Sequence, residues 1–262
     1  VVDAGSDLRD AEEAGVPAGV DGHLSTEAHE TYRRMVLWDF AWECRTGLNL
    51  AFYRTFAIPR IAELLGRTGE IAHQPLKRSM DTGLLMYEMI EGGPASERGR
   101  TVIRMLNRMH RRWSISDEDY RYVLTTFIVV PTRWIDEMGW RKTTPAERAA
   151  TTEFYAEVGR LMGIRDVPTS YDEAAMILDE YEAANLGYSE AGAALMKVTS
   201  TALEGLFPRP ARGLSDLLTS LLLSDEMCDA LGVQPPSRWE RKGFAAAMRV
   251  RAALVPHWPD RK

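Results

Sequence analysis

One histidine stands in the run Leu106 to Trp113, LNRMHRRW, among arginines and with no acid beside it. On a helix over Glu97–Trp113, His110 shares a stripe with Val102, Leu106, Met109 and Trp113. Arg100, Arg104, Arg108, Arg111 and Arg112 cover the rest of that helix. The imidazole is therefore expected to point with the apolar residues, towards a core. A buried imidazole needs a hydrogen-bond partner, a metal, or both. Position alone leaves both readings open: a satisfied core histidine and a metal ligand.

The preceding segment, KRSMDTGLLMYEMI, carries a second oddity. Leu76, Met80, Leu84 and Tyr87 make one stripe, and Arg78, Thr82, Leu85 and Met89 make another. A helix apolar on two sides is expected to be buried, which draws Arg78 and Thr82 inward. A buried guanidinium needs an anion. Asp81 is near in sequence but rotated off the Thr82 stripe. A ligand carboxylate would serve as that anion, and an arginine that snorkels to the surface would need none.

Other chemistries find less support. Glu70-x-x-His73 has the spacing of a di-iron bundle, but such sites need two pairs and further glutamates, and Pro75 follows at once. HExxH, GxGxxG, Walker A and GxSxG motifs are absent from the sequence. Cys44 and Cys228 are far apart and make no zinc or haem-attachment pattern. His23, His29 and His257 lie in polar or terminal contexts and are expected to be solvated. A net charge of -6 argues against nucleic acid as a partner. No run reaches the roughly 18 apolar residues of a membrane span, so stable membrane insertion is not expected. The N-terminus lacks a basic region followed by an apolar core and does not read as a signal peptide as it stands; the two widely separated cysteines make a reduced, cytoplasmic compartment the expectation.

The elements that must position His110 and the RSMDT segment all read as helices. Ser25 or Thr26 opens the first, and Gly47 is expected to break or bend it. Pro59 opens another, with Gly66 or Gly69 as its end, and Pro75 opens the RSMDT helix. Ser96 caps the His110 helix and Ser116 the next. That next helix contains YVLTTFIVV, a β-branched run read as buried helix because one isolated strand would have no partner. Thr144-Pro145, Ser170 and the regions 189–206, 212–231 and 237–254 complete the set. The expected organisation is an N-terminal arm over 1–24, poorly ordered, followed by a single all-α domain of roughly ten helices over 25–262.

Three stretches, taken in order, resemble a known family. FYRTFAIPRIAELLGRTGEI, RSMDT and RTVIRMLNRMH are similar to segments of the MpaB-like haem-dependent oxygenases, a family related to the bacterial latex-clearing rubber oxygenases. YRYVLTTFIVVPTRWIDEMGWR and EFYAEVGRLMGIRDVP resemble the segments that follow. The resemblance implies a multi-helix bundle with a globin-like haem-binding core and haem b as cofactor. It makes His110 the proximal iron ligand, Arg78 a residue that retains haem, and Thr82 the threonine beside it. Asp81 falls where the rubber oxygenases carry lysine, and a carboxylate there points to proton delivery in catalysis. Arg104 or Arg108 would pair haem propionates beside His110. The implied activity is oxidation or oxidative cleavage of an apolar substrate, isoprenoid-like or a secondary metabolite, with O2 or peroxide. Two rival readings are a non-catalytic haem sensor or carrier, and a haem-free helical module using the basic helix 237–254 on a membrane surface or acidic partner.

Overall fold

The computed structural model describes residues 23–73, 75–204 and 214–255, and the side chains of 72–80, 203 and 214 lie outside that description. The expected arm over 1–24 falls almost wholly outside it, as does His257. The described residues form an all-α structure. Its helices are α1 Thr26–Arg34, α2 Ala41–Phe56, α3 Pro59–Thr68, α4 Glu70–His73, α5 Pro75–Gly92, α6 Glu97–His110 and α7 Asp117–Met138. They continue with α8 Pro145–Met162, α9 Tyr171–Asn185, α10 Glu190–Glu204, α11 Leu214–Leu221, α12 Asp225–Leu231 and α13 Arg238–Leu254. The region expected as one helix over 212–231 is two, because the Ser224 hydroxyl accepts from Met227 N–H and starts α12.

Capping chemistry sets most of the boundaries. Ser25, Ser96, Ser116, Thr144, Ser170 and Ser237 each accept the backbone N–H three residues on. Such a cap contributes about 1 kcal/mol. Thr144 and Ser237 form reciprocal capping boxes with Glu147 and Glu240. Gly69, not Gly66, ends α3, at a φ of 70°.

The centre of the fold is the α2–α7 pair. Gly47 does not break α2; it lies inside the helix and is buried. A β-carbon there would stand 2.8 Å from Pro131 Cβ, so glycine lets α2 and α7 touch backbone to backbone. The irregularity lies earlier, in a π-helical turn over Met35–Asp39 between α1 and α2. In α7 the β-branched run is helical, with Tyr122, Leu124, Ile128, Val129 and Val130 buried. Its threonines sit in this core because Thr125 and Thr126 donate to carbonyls three residues back and Thr132 to one four back.

α1 packs along α8, and the buried Tyr32 hydroxyl donates to the Tyr155 hydroxyl at 2.9 Å. His29 is not solvated as expected. Its Nε2 lies 2.9 Å from the Ile90 carbonyl and its ring stacks towards Phe154, which ties α1 to the end of α5. α13 is fastened from below by Arg251, which donates to the fully buried Glu43 at 2.7 Å and lies over the Trp42 ring. Its outer face leaves Trp239, Val250 and Leu254 exposed.

α5 returns through a tight turn at Gly93 into α6. Of the two stripes expected on α5, the described members are mostly turned inward: Tyr87 of the first is half-buried and lines the core side, and Leu84 is the exception. Thr82 and Leu85 are half-buried and Met89 and Ile90 buried, whereas Leu84 is 65% exposed. α5 packs against α1, α4, α6 and α10, leaving a slot between it and α2.

Candidate functional site

His110 occupies the last position of α6, and Trp113 lies beyond the helix in a turn, 37% exposed. The histidine is half-buried, with its Nδ1 atom wholly shielded from solvent. Its ring meets Tyr120, near the start of α7, edge-on at 5.7 Å. Burial pushes the Tyr120 phenol above its ordinary range, so it stays protonated and neutral beside the imidazole. One turn back, Asn107 Nδ2 donates to the Leu161 carbonyl at 3.2 Å and binds α6 to the end of α8.

Thr82 lines a different feature, the slot between α2 and α5, whose volume is about 100 Å³. α2 contributes Arg45, Leu48, Asn49 and Phe52, one stripe at helical spacing. α5 contributes Thr82, Gly83, Met86 and Tyr87, and Phe127 of α7 forms the floor. A β-carbon on Gly83 would meet nothing within 4 Å, so the slot is open on that side. Burial raises the Tyr87 phenol, with the Arg45 charge acting in the opposite direction, and the hydroxyl remains a neutral donor.

His110 and the slot are joined by one face of α7. Tyr120, Val123 and Phe127 recur at helical spacing and are all half-buried, while Tyr122, Leu124, Thr125, Thr126 and Ile128 are buried. Tyr120 touches His110 and Phe127 closes the slot. Seven residues separate them, which is about 10 Å along a helix axis. The two ends of the candidate site therefore share one straight edge.

The remaining expected residues are dispersed. Arg78 belongs to α5, but its side chain lies outside the described residues. Asp81 is exposed, turned away from the slot that Thr82 lines. Arg104 is exposed and donates to Thr101 Oγ1 at 2.8 Å, on the solvent side of α6 rather than beside the slot. Arg45, Phe52 and Phe127 went unnoticed in the sequence because they come from helices far apart in the chain. The only local signal was the Arg45, Leu48, Phe52 spacing on α2.

Roomier hollows exist, but none is lined by His110, Thr82, Asp81 or Arg104. One of about 770 Å³ lies between α10, α11 and the segment leading to α13, lined by Lys197, Ser200, Asp216 and Thr219 among others. Among the described residues, no group of three or more imidazole, thiol or carboxylate side chains converges as it would on a bare metal ion. A macrocycle asks less of the protein, one or two axial ligands and apolar walls. His110, with Phe52, Met86 and Phe127, offers that chemistry. The slot is smaller than the roughly 300 Å³ at which ligand pockets usually begin, so in this shape it takes the edge of a larger group.

None of the described helices is long and apolar enough to cross a membrane. Among characterised proteins, the chain is 31% identical over 144 residues to the ER-bound oxygenase mpaB of Penicillium brevicompactum, covering 53% of this chain and 37% of that protein. It is equally similar to mpaB′ of the same organism, covering 34% of it. The mpaB of Penicillium roqueforti (strain FM164) is 30% identical over 144 residues, 48% of its length. The matched stretch thus spans between a third and a half of these relatives. Residues 44–253, from α2 nearly to the end of α13 and including every slot residue and His110, match the family described as ER-bound oxygenase mpaB/B′/rubber oxygenase, catalytic domain, and the chain belongs to that family.

Proposed function

We infer that the chain is a haem b-dependent oxygenase that uses O2 or peroxide to oxidise or cleave an apolar, isoprenoid-like substrate. Membership of an oxygenase catalytic-domain family supports the reaction class. The observation that carries the haem assignment is half-buried His110, its Nδ1 shielded from solvent, set two turns of α7 from an apolar slot.

Bound haem would supply an iron centre at which the oxidant is activated. His110 would hold the iron from the α6 side. Phe52, Met86 and Phe127 would keep water from the reacting groups, and Thr82 would offer its hydroxyl at the slot wall. Arg78 would retain the cofactor, and Asp81, at the exposed edge of α5, would pass protons between solvent and site. Tyr87 and Tyr120, both held neutral by burial, would donate hydrogen bonds without adding charge.

The test is an absorption spectrum of protein supplied with haemin. A strong Soret band that shifts or vanishes in His110→Ala supports the assignment, and an unchanged band in that variant removes His110 from the role. Product analysis with O2 and isoprenoid alkenes then separates an oxygenase from a sensor or carrier.

A second reading draws on α13, where exposed Trp239, Val250 and Leu254 lie beside Arg238, Lys242 and Arg249. This face suits contact with an anionic membrane surface. Salt-sensitive sedimentation with anionic vesicles, lost in Trp239→Ser, would favour it.

A further inference from the structure

Arg45 stands at the mouth of the slot, exposed, and nothing among the described residues pairs with its guanidinium. That separates it from the other arginines bordering the described hollows. Arg54 is bound to Glu182, Arg133 to Asp179, Arg148 to Asp136, Arg160 to Glu157 and Arg241 to Asp225. Below Arg45 on the same stripe of α2, Leu48 and Phe52 run into the slot, with Met86 and Phe127 opposite and beneath. The site thus combines one uncompensated cation at the rim with apolar walls behind it. A ligand that matches both has an apolar body ending in an anion, and a guanidinium binds a carboxylate through two parallel hydrogen bonds.

We propose that Arg45 anchors the carboxylate of a group whose apolar edge enters the slot between α2 and α5. The carboxylate has two sources, a propionate of the haem or the head of an isoprenoid acid substrate. The first source rests on the function proposed above; the second does not require iron. Gly83 makes room for either, because its side of the slot is empty.

The experiment is equilibrium binding, read by absorbance for haemin and by quenching of tryptophan fluorescence for an isoprenoid acid. Haemin dimethyl ester and the methyl ester of the acid are the controls. Arg45→Gln weakens the carboxylate-bearing ligand about tenfold, in line with one charge-assisted hydrogen-bonded contact, and leaves its ester unchanged. Selective loss of haemin affinity identifies the propionate, and selective loss of acid affinity identifies a substrate head. Gly83→Phe fills the slot and weakens acid and ester alike. The proposal is overturned when Arg45→Gln leaves every affinity unchanged, or weakens esters as much as acids. His110→Ala keeps the two inferences apart: it removes iron ligation, and acid binding that survives in it still depends on Arg45. Arg45 is exposed, so a matching melting curve for Arg45→Gln confirms that the fold is intact.

Discussion

Gly47 of α2 and Pro131 of α7 meet with no side chain between them, so closely that a β-carbon on Gly47 would sit 2.8 Å from Pro131 Cβ and nearer still to its Cα. The opposing atoms are backbone and a rigid ring, which cannot swing aside. Gly47→Ala is therefore expected to push the two central helices apart and cost about 3 kcal/mol. For a chain of this size that is a drop in melting temperature of about 6–12 °C. Thermal unfolding followed by circular dichroism checks it, and an unchanged midpoint would show that the helices separate freely.

Asn107 holds α6 to the last turn of α8. Asn107→Leu removes that bond, leaves the Leu161 carbonyl to find another donor, and costs about 1 kcal/mol. The histidine three residues on loses part of its support, so haemin affinity should fall as well. Urea unfolding and haemin titration measure the two effects separately.

The Glu43–Arg251 contact is the buried fastening of α13. Glu43 is fully buried, and its second oxygen has no hydrogen-bond partner among the described residues. Glu43→Ala strands the guanidinium against α2, though Arg251 keeps 30% of its side chain in solvent and can turn outward. The expected cost is about 3 kcal/mol, the lower end for a broken buried pair. Trypsin should then cut α13 at its arginines faster than in the parent chain. Equal cleavage rates would show that the helix is held by its apolar contacts alone.

Stability should also depend on pH through Glu147. Burial alone would raise this carboxyl, but the Arg141 guanidinium and the Thr144 hydrogen bonds outweigh it and hold it below its ordinary value of 4.5. In the unfolded chain the carboxyl takes up a proton near 4.5, before the folded one does. Its contribution is complete above that pH and is lost as the pH falls through the lower folded value. Glu147→Gln should flatten the acid limb of the stability profile. A parallel limb in the two proteins would assign acid sensitivity to other groups.

Much of the helical framework was legible before the structure. The capping serines and threonines marked the starts of α1, α6, α7, α8 and α9, because a cap is a local hydrogen bond between residues three apart. YVLTTFIVV read correctly as helix on the absence of a strand partner, against its own propensity. Tertiary relations stayed hidden. Gly47 looked like a helix breaker because nothing local announces Pro131. His29 looked solvated because its partner, the Ile90 carbonyl, is 61 residues away. The apolar look of α5 was misleading at Leu84, which periodicity placed inside and the fold leaves 65% exposed. At the site, His110 and Thr82 were visible as residue types in a suggestive order. Arg45, Phe52 and Phe127 were not, since the slot exists only once α2, α5 and α7 come together.

The straight edge from Tyr120 through Val123 to Phe127 has a consequence for which changes this chain can tolerate. Its two ends are tied to different parts of the site, His110 at one and the slot at the other. A helix counts as it runs, so inserting or deleting one residue between them turns everything beyond it by about 100°. Phe127 would leave the slot and a buried neighbour would enter it, Thr126 after an insertion or Ile128 after a deletion, although no residue at the site had been replaced. The interval between these aromatic rings is thus as much a requirement of the site as the rings themselves. Loops elsewhere can change length, but this stretch of α7 can vary only by substitution.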